Sequence, residues 1–340
     1  QLVGTTESRT SIEDLSEEYK RMEMGLFRLV VMGEIKKGKS SFINALLSEP
    51  DLLPIASDIA TSTVYKLLYG SKKTFKVFFK PDVDTGARRA PIEIDAAGLN
   101  EWGTESGNPD NEKGVDFIGI QLPNDLLKQG LVIVDTPGVG GLYRKHRDIT
   151  LRYAPNADAV LFVLDSVESV ISHDEIVFLQ DLVKNSTKRI FFVQTKIDAA
   201  DEEGWKAWME RNQNILAEEV GLPIERQVYF PVSAMIKERA DKRKSGRHLK
   251  KSGYLDVQNY LNQALIPGKE AALAADFAAR LVFSLNQYRS IQRRSAQVLR
   301  EESKEKLSEM QQTLVTKRQQ LTEWRGSRFQ KETQVFSDRL

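Results

Sequence analysis

The segment Gly33-Glu-Ile-Lys-Lys-Gly38-Lys39-Ser40 matches G-x-x-x-x-G-K-[ST] and lies between a β-rich run at 26–32 and a helix-length stretch at 40–47. Strand, glycine-rich loop and helix in that order make a phosphate cradle. Gly33 and Gly38 let backbone N–H groups wrap phosphates, and the following helix turns its positive N-terminus toward them. Lys39 reaches the β and γ phosphates, and the Ser40 hydroxyl is a Mg²⁺ ligand. Lys36, Lys37 and Ser41 complete the nucleotide-contacting set of the loop.

Three further motifs follow in the order a guanine-nucleotide site requires. Leu131-Val-Ile-Val-Asp135-Thr-Pro-Gly138 reads as a buried strand ending in a carboxylate and a turn, with Asp135 holding Mg²⁺ through water and the Gly138 N–H meeting the γ-phosphate. Thr195-Lys196-Ile-Asp198 follows an apolar run at 190–193. A carboxylate at Asp198 accepts from guanine N1 and N2, whereas adenine would leave that charge unpaired. Lys196 lays its stem along the base, and Ser233-Ala234 offers backbone N–H to O6. Between the loop helix and a strand at 64–69 lie Thr61 and Thr63, candidates for the second hydroxyl on Mg²⁺. Thr61 is the choice and Thr63 the competitor. Val139 stands where a signalling GTPase carries the Gln that orients water, so catalysis draws on another group.

β-rich runs at 26–32, 75–79, 117–122, 131–134, 159–164, 189–193 and 228–232 alternate with helix-length stretches at 40–47, 172–184 and 204–220. This predicts an α/β P-loop GTPase domain: a mainly parallel sheet with helices on both faces. Residues 80–114, rich in Gly, Pro, Asn and Asp, read as an elaborated loop without chemistry. Residues 10–24 read as an amphipathic helix capped by Thr10 or Ser11 and stopped at Gly25.

After Pro267-Gly268 there is no Gly or Pro for 57 residues, from Lys269 to Arg325. A continuous helix of that length would reach about 85 Å. Its apolar seam (Phe277, Leu281, Leu285, Tyr288, Ile291, Val298) lapses at 300–306 and resumes at Leu307, Met310, Leu314, Leu321 and Trp324. Such a seam calls for partner helices, and the lapse for a bend or register shift. The expected domains are a neck helix at 1–25, a G domain at 26–266 and a helical neck or stalk segment at 269–340.

Composition excludes other classes. The chain has no Cys, three His, and 49 basic against 48 acidic residues, for a net charge of +1. No thiolate or His-built metal site is available, and no whole-molecule field attracts nucleic acid or anionic lipid. One basic stretch, 236–252, holds eight Lys and Arg but lacks the aromatic residues that stack on RNA, and reads as a solvated surface. No apolar run approaches the length of a membrane span. The expectation is a piece of a longer cytoplasmic protein, peripheral at the inner face of a membrane.

With its five motifs in place, the sequence resembles the dynamin superfamily, most closely the bacterial dynamin-like proteins. The likeness rests on Gly33-Glu-x-x-x-Gly-Lys-Ser-Ser-x-Ile-Asn44-Ala-Leu, Leu52-Leu-Pro54 with the Thr61 region, Asp135-Thr-Pro-Gly-Val-Gly-Gly141, and Ser233-Ala with Lys251-Ser-Gly253. It implies Mg²⁺-dependent GTP hydrolysis stimulated by G-domain dimerisation, self-association through the neck helices, and mechanochemical action in membrane remodelling, fusion or repair. Peripheral lipid enters by analogy alone. Eukaryotic dynamins carry Gln-Ser in the phosphate loop, the Ser helping to bind a monovalent cation. Ile35-Lys36 occupy those positions here, so the Lys36 ammonium stands as a candidate replacement for that cation. The rival readings are a switch GTPase of the ribosome-assembly type that binds RNA, and a GTP-bound scaffold with little turnover.

Overall fold

The computed structural model describes residues 6–55, 63–82, 85–137, 157–167, 171–185, 189–301 and 304–337. The chain divides into two units, one of Glu17–Phe277 and one of Gln1–Ser16 with Ala278–Leu340.

The larger unit is built on nine strands among the described residues: β1 (Phe27–Met32), β2 (Val64–Tyr69), β3 (Thr74–Phe79), β4 (Ile92–Ile94), β5 (Val115–Leu122), β6 (Leu131–Asp135), β7 (Ala159–Asp165), β8 (Arg189–Thr195) and β9 (Val228–Pro231). They run in the order β4-β3-β5-β2-β6-β1-β7-β8-β9. From β6 to β9 every pairing is parallel, while β2 meets β6 antiparallel and β3 is antiparallel to both β4 and β5.

Alternate residues of the central strands supply two separate cores. Leu29, Val31, Leu161 and Val163 face one side with Phe42, Ile43, Tyr254, Val257 and Leu273. Val30, Met32, Val160 and Phe162 face the other with Phe178, Leu179, Leu182 and Leu216. Period-2 alternation of apolar residues on both faces is what a strand buried between two helix layers requires. The first layer includes α2 (Lys39–Leu46) and the second α5 (His173–Asn185) and α6 (Glu202–Glu218), these labels counting α1 (Thr6–Glu23), α3 (Gly98–Gly103) and α4 (Asp125–Lys128). Helices α7 (Ala234–Arg243), α8 (Gly246–Lys251) and α9 (Tyr254–Tyr260) follow β9.

Two local expectations are corrected. The stretch at 80–114 carries β4 and α3, with Leu99 buried and Trp102 edge-on to Phe79. The three-residue strand and six-residue helix are too short to register as hydrophobic periodicity. The N-terminal helix begins at Thr6, upstream of the expected caps, and ends at Glu23 before Gly25, whose φ of 61° is the left-handed stop.

In the smaller unit the long C-terminal segment forms α10 (Lys269–Glu301), which starts in the larger unit, and α11 (Lys304–Ser337). Leu285, Tyr288, Met310, Leu314, Leu321 and Trp324 of the seam are exposed.

Candidate nucleotide site

The parallel order β6-β1-β7-β8-β9 brings five carboxyl-terminal strand ends together, the edge where open α/β sheets bind ligands. Register sets the levels. Asp135 pairs with Val31 beside the start of the phosphate loop, and Asp165 pairs with Thr195. Antiparallel β2 places Tyr65 opposite Asp135, so the chain enters β2 at this same edge through Thr63.

The loop from Gly33 to Ser40 depends on its glycines. A Cβ at Gly33, where φ is 140°, would lie 2.4 Å from the Val163 carbonyl oxygen, and Gly38 has a φ of 88° at the start of α2. Lys36 also adopts a positive φ, 66°, and its side chain is exposed. Lys37 is buried instead, its ammonium 3.6 Å from Asp165 and its carbonyl accepting from Thr195 Oγ1 at 2.7 Å. Lys37 thus serves the loop by its backbone and anchors it by its side chain.

Lys39 is buried and donates to the carbonyl oxygens of Gly33 (2.9 Å) and Glu34 (2.8 Å). Burial lowers its pKa to about 8, opposed by the charges of Asp135, Glu175 and Glu34. Ser40 Oγ donates to Asp135 Oδ2 at 2.9 Å. Burial pushes Asp135 up to about 6, against the pull of Lys39 and Ser40. Its other oxygen, Oδ1, is buried with no hydrogen-bond partner, and so is Thr63 Oγ1. An orphaned buried carboxylate oxygen beside a serine hydroxyl is an oxygen donor set suited to Mg²⁺, a hard cation that completes its shell with water and substrate phosphates. The described residues hold no cluster of three His, Cys, Asp or Glu.

The base end is built from β8 and β9. Thr195 Oγ1 donates to Lys37 and Leu164 carbonyls, which makes it a staple between strand and loop. Lys196 has a φ of 61°, and its ammonium lies 2.8 Å from Asp165 Oδ2. Asp198 is exposed in the turn that follows. Ser233 caps α7 by accepting from Ile236 N–H, and its own N–H donates to the Ser252 carbonyl. Of the two N–H groups expected to meet guanine O6, that of Ser233 is therefore engaged within the protein, leaving the Ala234 N–H on the first helical turn. Ser41 lies in the first turn of α2, after Lys39 and Ser40. Thr61, Gly138 and Val139 lie outside the described residues.

The supporting roles of Asn44 and Asp165 escaped sequence reasoning. The Asn44 amide holds Leu53 by both its N–H and its C=O, at 2.9 and 3.0 Å, fixing the start of the segment that leads to Thr61. Asp165 binds Lys37 and Lys196 together. Asn44 stands in a helix between apolar residues, and Asp165 ends an apolar strand. A buried polar residue in such a run was the available signal.

A phosphate loop between parallel strand and helix, a serine–aspartate pair at its mouth and a Thr-Lys-x-Asp turn at the far wall define a P-loop domain of the GTPase class. A family model described as Dynamin family matches residues 29–197. The chain belongs to the dynamin superfamily.

Among similar proteins, an uncharacterized protein in the xynA 3′ region of Caldicellulosiruptor sp. (strain Rt8B.4) is 40% identical over 189 residues, 55% of this chain and 44% of that one. The bacterial dynamin-like protein of Nostoc punctiforme is 29% identical over 208 residues, 58% of this chain and 29% of its own length. The chain thus spans less than half of each. A solved structure of an oligomerised bacterial dynamin pair, described as providing a mechanism for long-range sensing and tethering of membranes, shares the fold with a TM-score of 0.58 at 20% identity, covering 96% of this chain and 50% of that one.

Proposed function

We propose that the chain binds and hydrolyses GTP with Mg²⁺, and that hydrolysis is stimulated when G domains of two copies meet. The observation that carries the reading is the buried, unpartnered Asp135 Oδ1 beside Ser40 at the mouth of the phosphate loop. A carboxylate held there dry is costly unless a ligand shell completes it.

Each residue has a stated task. The N–H groups of 33–41 hold the phosphates, and Lys39 leaves the loop carbonyls to stabilise charge developing on the β and γ phosphates. Ser40 and Thr61 hold the metal directly, with Asp135 acting through water and Thr63 the competitor to Thr61. Mg²⁺ neutralises and orients the phosphate oxygens. Gly138 N–H meets the γ-phosphate. Asp198 selects guanine, Lys196 packs along the base, and Thr195 holds the loop that both depend on. Lys36, exposed at the loop, supplies positive charge where other family members use a monovalent cation.

The larger role follows from the family and from the exposed seam of α10 and α11. Apolar residues repeating along two long helices favour association with further helices. We assign that association to self-assembly of neck segments, coupled by GTP turnover to remodelling, fusion or repair of a membrane. We assign the contact, by analogy with the family, to peripheral lipid at the cytoplasmic side rather than to nucleic acid; the described residues contain no helix long and apolar enough to cross a bilayer.

Phosphate release measured against protein concentration, together with solution mass by light scattering in GDP and in GDP with aluminium fluoride, tests this. Specific activity should rise with concentration and a dimer should form with the transition-state mimic. Flat, background-level activity in a sample shown to dimerise would overturn it.

A further inference from the structure

Behind the phosphate loop lies a carboxylate that the proposed chemistry does not use. Glu175, in the first turn of α5, is 1% exposed. With Ser172 it forms a capping box: Ser172 Oγ accepts from the Glu175 N–H at 3.3 Å, and Glu175 Oε2 accepts from the Ser172 N–H at 3.1 Å. The same two residues also grip the loop. Glu175 Oε1 accepts from the Glu34 N–H at 3.3 Å, and Ser172 Oγ donates to Glu34 Oε1 at 2.6 Å. Main chain and side chain of the second loop residue are thus both held by the start of α5.

This arrangement sets two carboxylates around one serine, Glu34 on its hydroxyl and Glu175 on its N–H. Burial pushes Glu175 up to about 7, the neighbouring charge of Glu34 adds to the rise, and the N–H bonds and Lys37 oppose it. Among the described residues the charges facing it are Glu34, Lys37 and Lys39. Lys37 is shared with Asp165. Lys39 is the ammonium that the proposed function sends to the phosphates. Phosphates entering the loop would neutralise that cation and add negative charge of their own, so the field at Glu175 becomes more negative as nucleotide binds.

We propose that Glu175 is a positioning residue that fixes Glu34 and with it the entrance of the phosphate loop, and that it takes up a proton as nucleotide phosphates arrive. The proposal rests on the reading of this loop as a GTP site. A protonated Glu175 keeps one oxygen to accept an N–H and gains an O–H that can donate toward Glu34, so the anchor survives the loss of charge. By linkage, nucleotide affinity then increases as pH falls toward the titration of this group.

The test measures binding of GDP and of a non-hydrolysable GTP analogue, with excess Mg²⁺, from pH 6.5 to 8.5, on the full chain and on Glu175→Gln, Glu175→Ala and Glu34→Gln. Thermal melting of the nucleotide-free proteins runs alongside. Glu175→Gln imitates the protonated form, so the ratio of its affinity to that of the unmutated chain cancels the nucleotide's own titration. The unmutated chain should gain about three- to tenfold in affinity over Glu175→Gln on going from pH 8.5 to 6.5. Glu175→Ala should bind weakly at every pH, and Glu34→Gln should move the inflection to lower pH. A ratio that is flat with pH, or Glu175→Ala binding like the unmutated chain, would overturn the proposal.

Melting separates this from failure of the nucleotide reading. The folded-state pKa is raised, so the stability contributed by protonated Glu175 is full below the ordinary carboxyl value of 4.5 and is lost as pH rises through about 7. Glu175→Gln should lack that slope. If no variant binds nucleotide at any pH but the slope difference is present, the GTP reading fails while the buried proton site stands; absence of the slope difference overturns the proton site itself.

Discussion

The two ends of β1 both carry buried charge, and they treat it in opposite ways. At the amino end, Arg21 of α1 spends all three guanidinium nitrogens: Nε (2.8 Å) and Nη2 on Glu18, and Nη1 on Asp158 (2.5 Å) and on the Leu26 carbonyl (3.2 Å). Asp158 also accepts the Arg28 N–H that opens β1, and Glu18 accepts from the Arg28 guanidinium. Asp276 stands 3.7 Å from Arg21. At the carboxyl end, Lys39 has only loop carbonyls, while Asp135 has one oxygen on Ser40 and one on nothing. The first end is closed and its desolvation is offset within the fold. The second leaves desolvation unrelieved, and that is free energy a charged ligand can recover on binding.

If this contrast is right, substitutions at the two ends should separate function from stability. Lys39→Ala should lower GTP turnover by about a thousandfold, because it removes the ammonium assigned to the charge developing on the β and γ phosphates, while the melting temperature stays close to that of the unmutated chain. Phosphate release beside a thermal melt reads both quantities, and a large loss of stability would mean that Lys39 is also structural. Arg21→Met keeps an apolar stem but takes from Asp158 the guanidinium bonded to it and leaves Glu18 only that of Arg28. It should destabilise the larger unit by about 3–5 kcal/mol in urea unfolding and leave nucleotide affinity nearly unchanged. A weakened affinity at full folding would show that the two ends communicate.

A smaller effect is expected where the open end meets the base. Asp198→Asn should reduce guanine-nucleotide affinity by about ten- to a hundredfold and favour xanthine nucleotides, since an amide then presents a donor to guanine N1. Competition binding with GTP and XTP measures it. Unchanged GTP affinity would place the base pocket elsewhere.

How much of this contrast was legible in the sequence follows from the range of the interactions. The open end was readable because phosphate chemistry needs glycines, a lysine and a serine at fixed local spacing, and because apolar strands announce themselves before Asp135 and Thr195. Sheet class and the strand–helix alternation were readable for the same reason: each core face repeats every second residue. The closed end was not. Arg21 and Asp158 are far apart in the chain, and a charged residue on an amphipathic helix reads as solvent-facing until the fold brings its acceptors to it. Glu175 was hidden in the same way, as was the short β4–α3 excursion, whose elements are below the length at which periodicity shows.

The finest test of the contrast concerns the second orphan at the open end, Thr63, 1% exposed with Oγ1 unpartnered where the chain enters β2. A buried hydroxyl without a partner has two physical readings: a group waiting for the metal shell, or a polar atom carried at a cost by a strand entrance that needs a β-branched residue. Thr63→Val is nearly isosteric and distinguishes them. With Thr61 as the hydroxyl ligand, removing the Thr63 oxygen should stabilise the nucleotide-free protein by about 1 kcal/mol, since an unsatisfied buried hydroxyl is replaced by a methyl group, and leave Mg²⁺-dependent turnover within about twofold. Urea unfolding and a Mg²⁺ titration of phosphate release give the two numbers. A fall in turnover that added Mg²⁺ partly restores would transfer the metal ligand from Thr61 to Thr63, and the desolvation left open at this end of β1 would then be shared by Thr63 and Asp135 as one site.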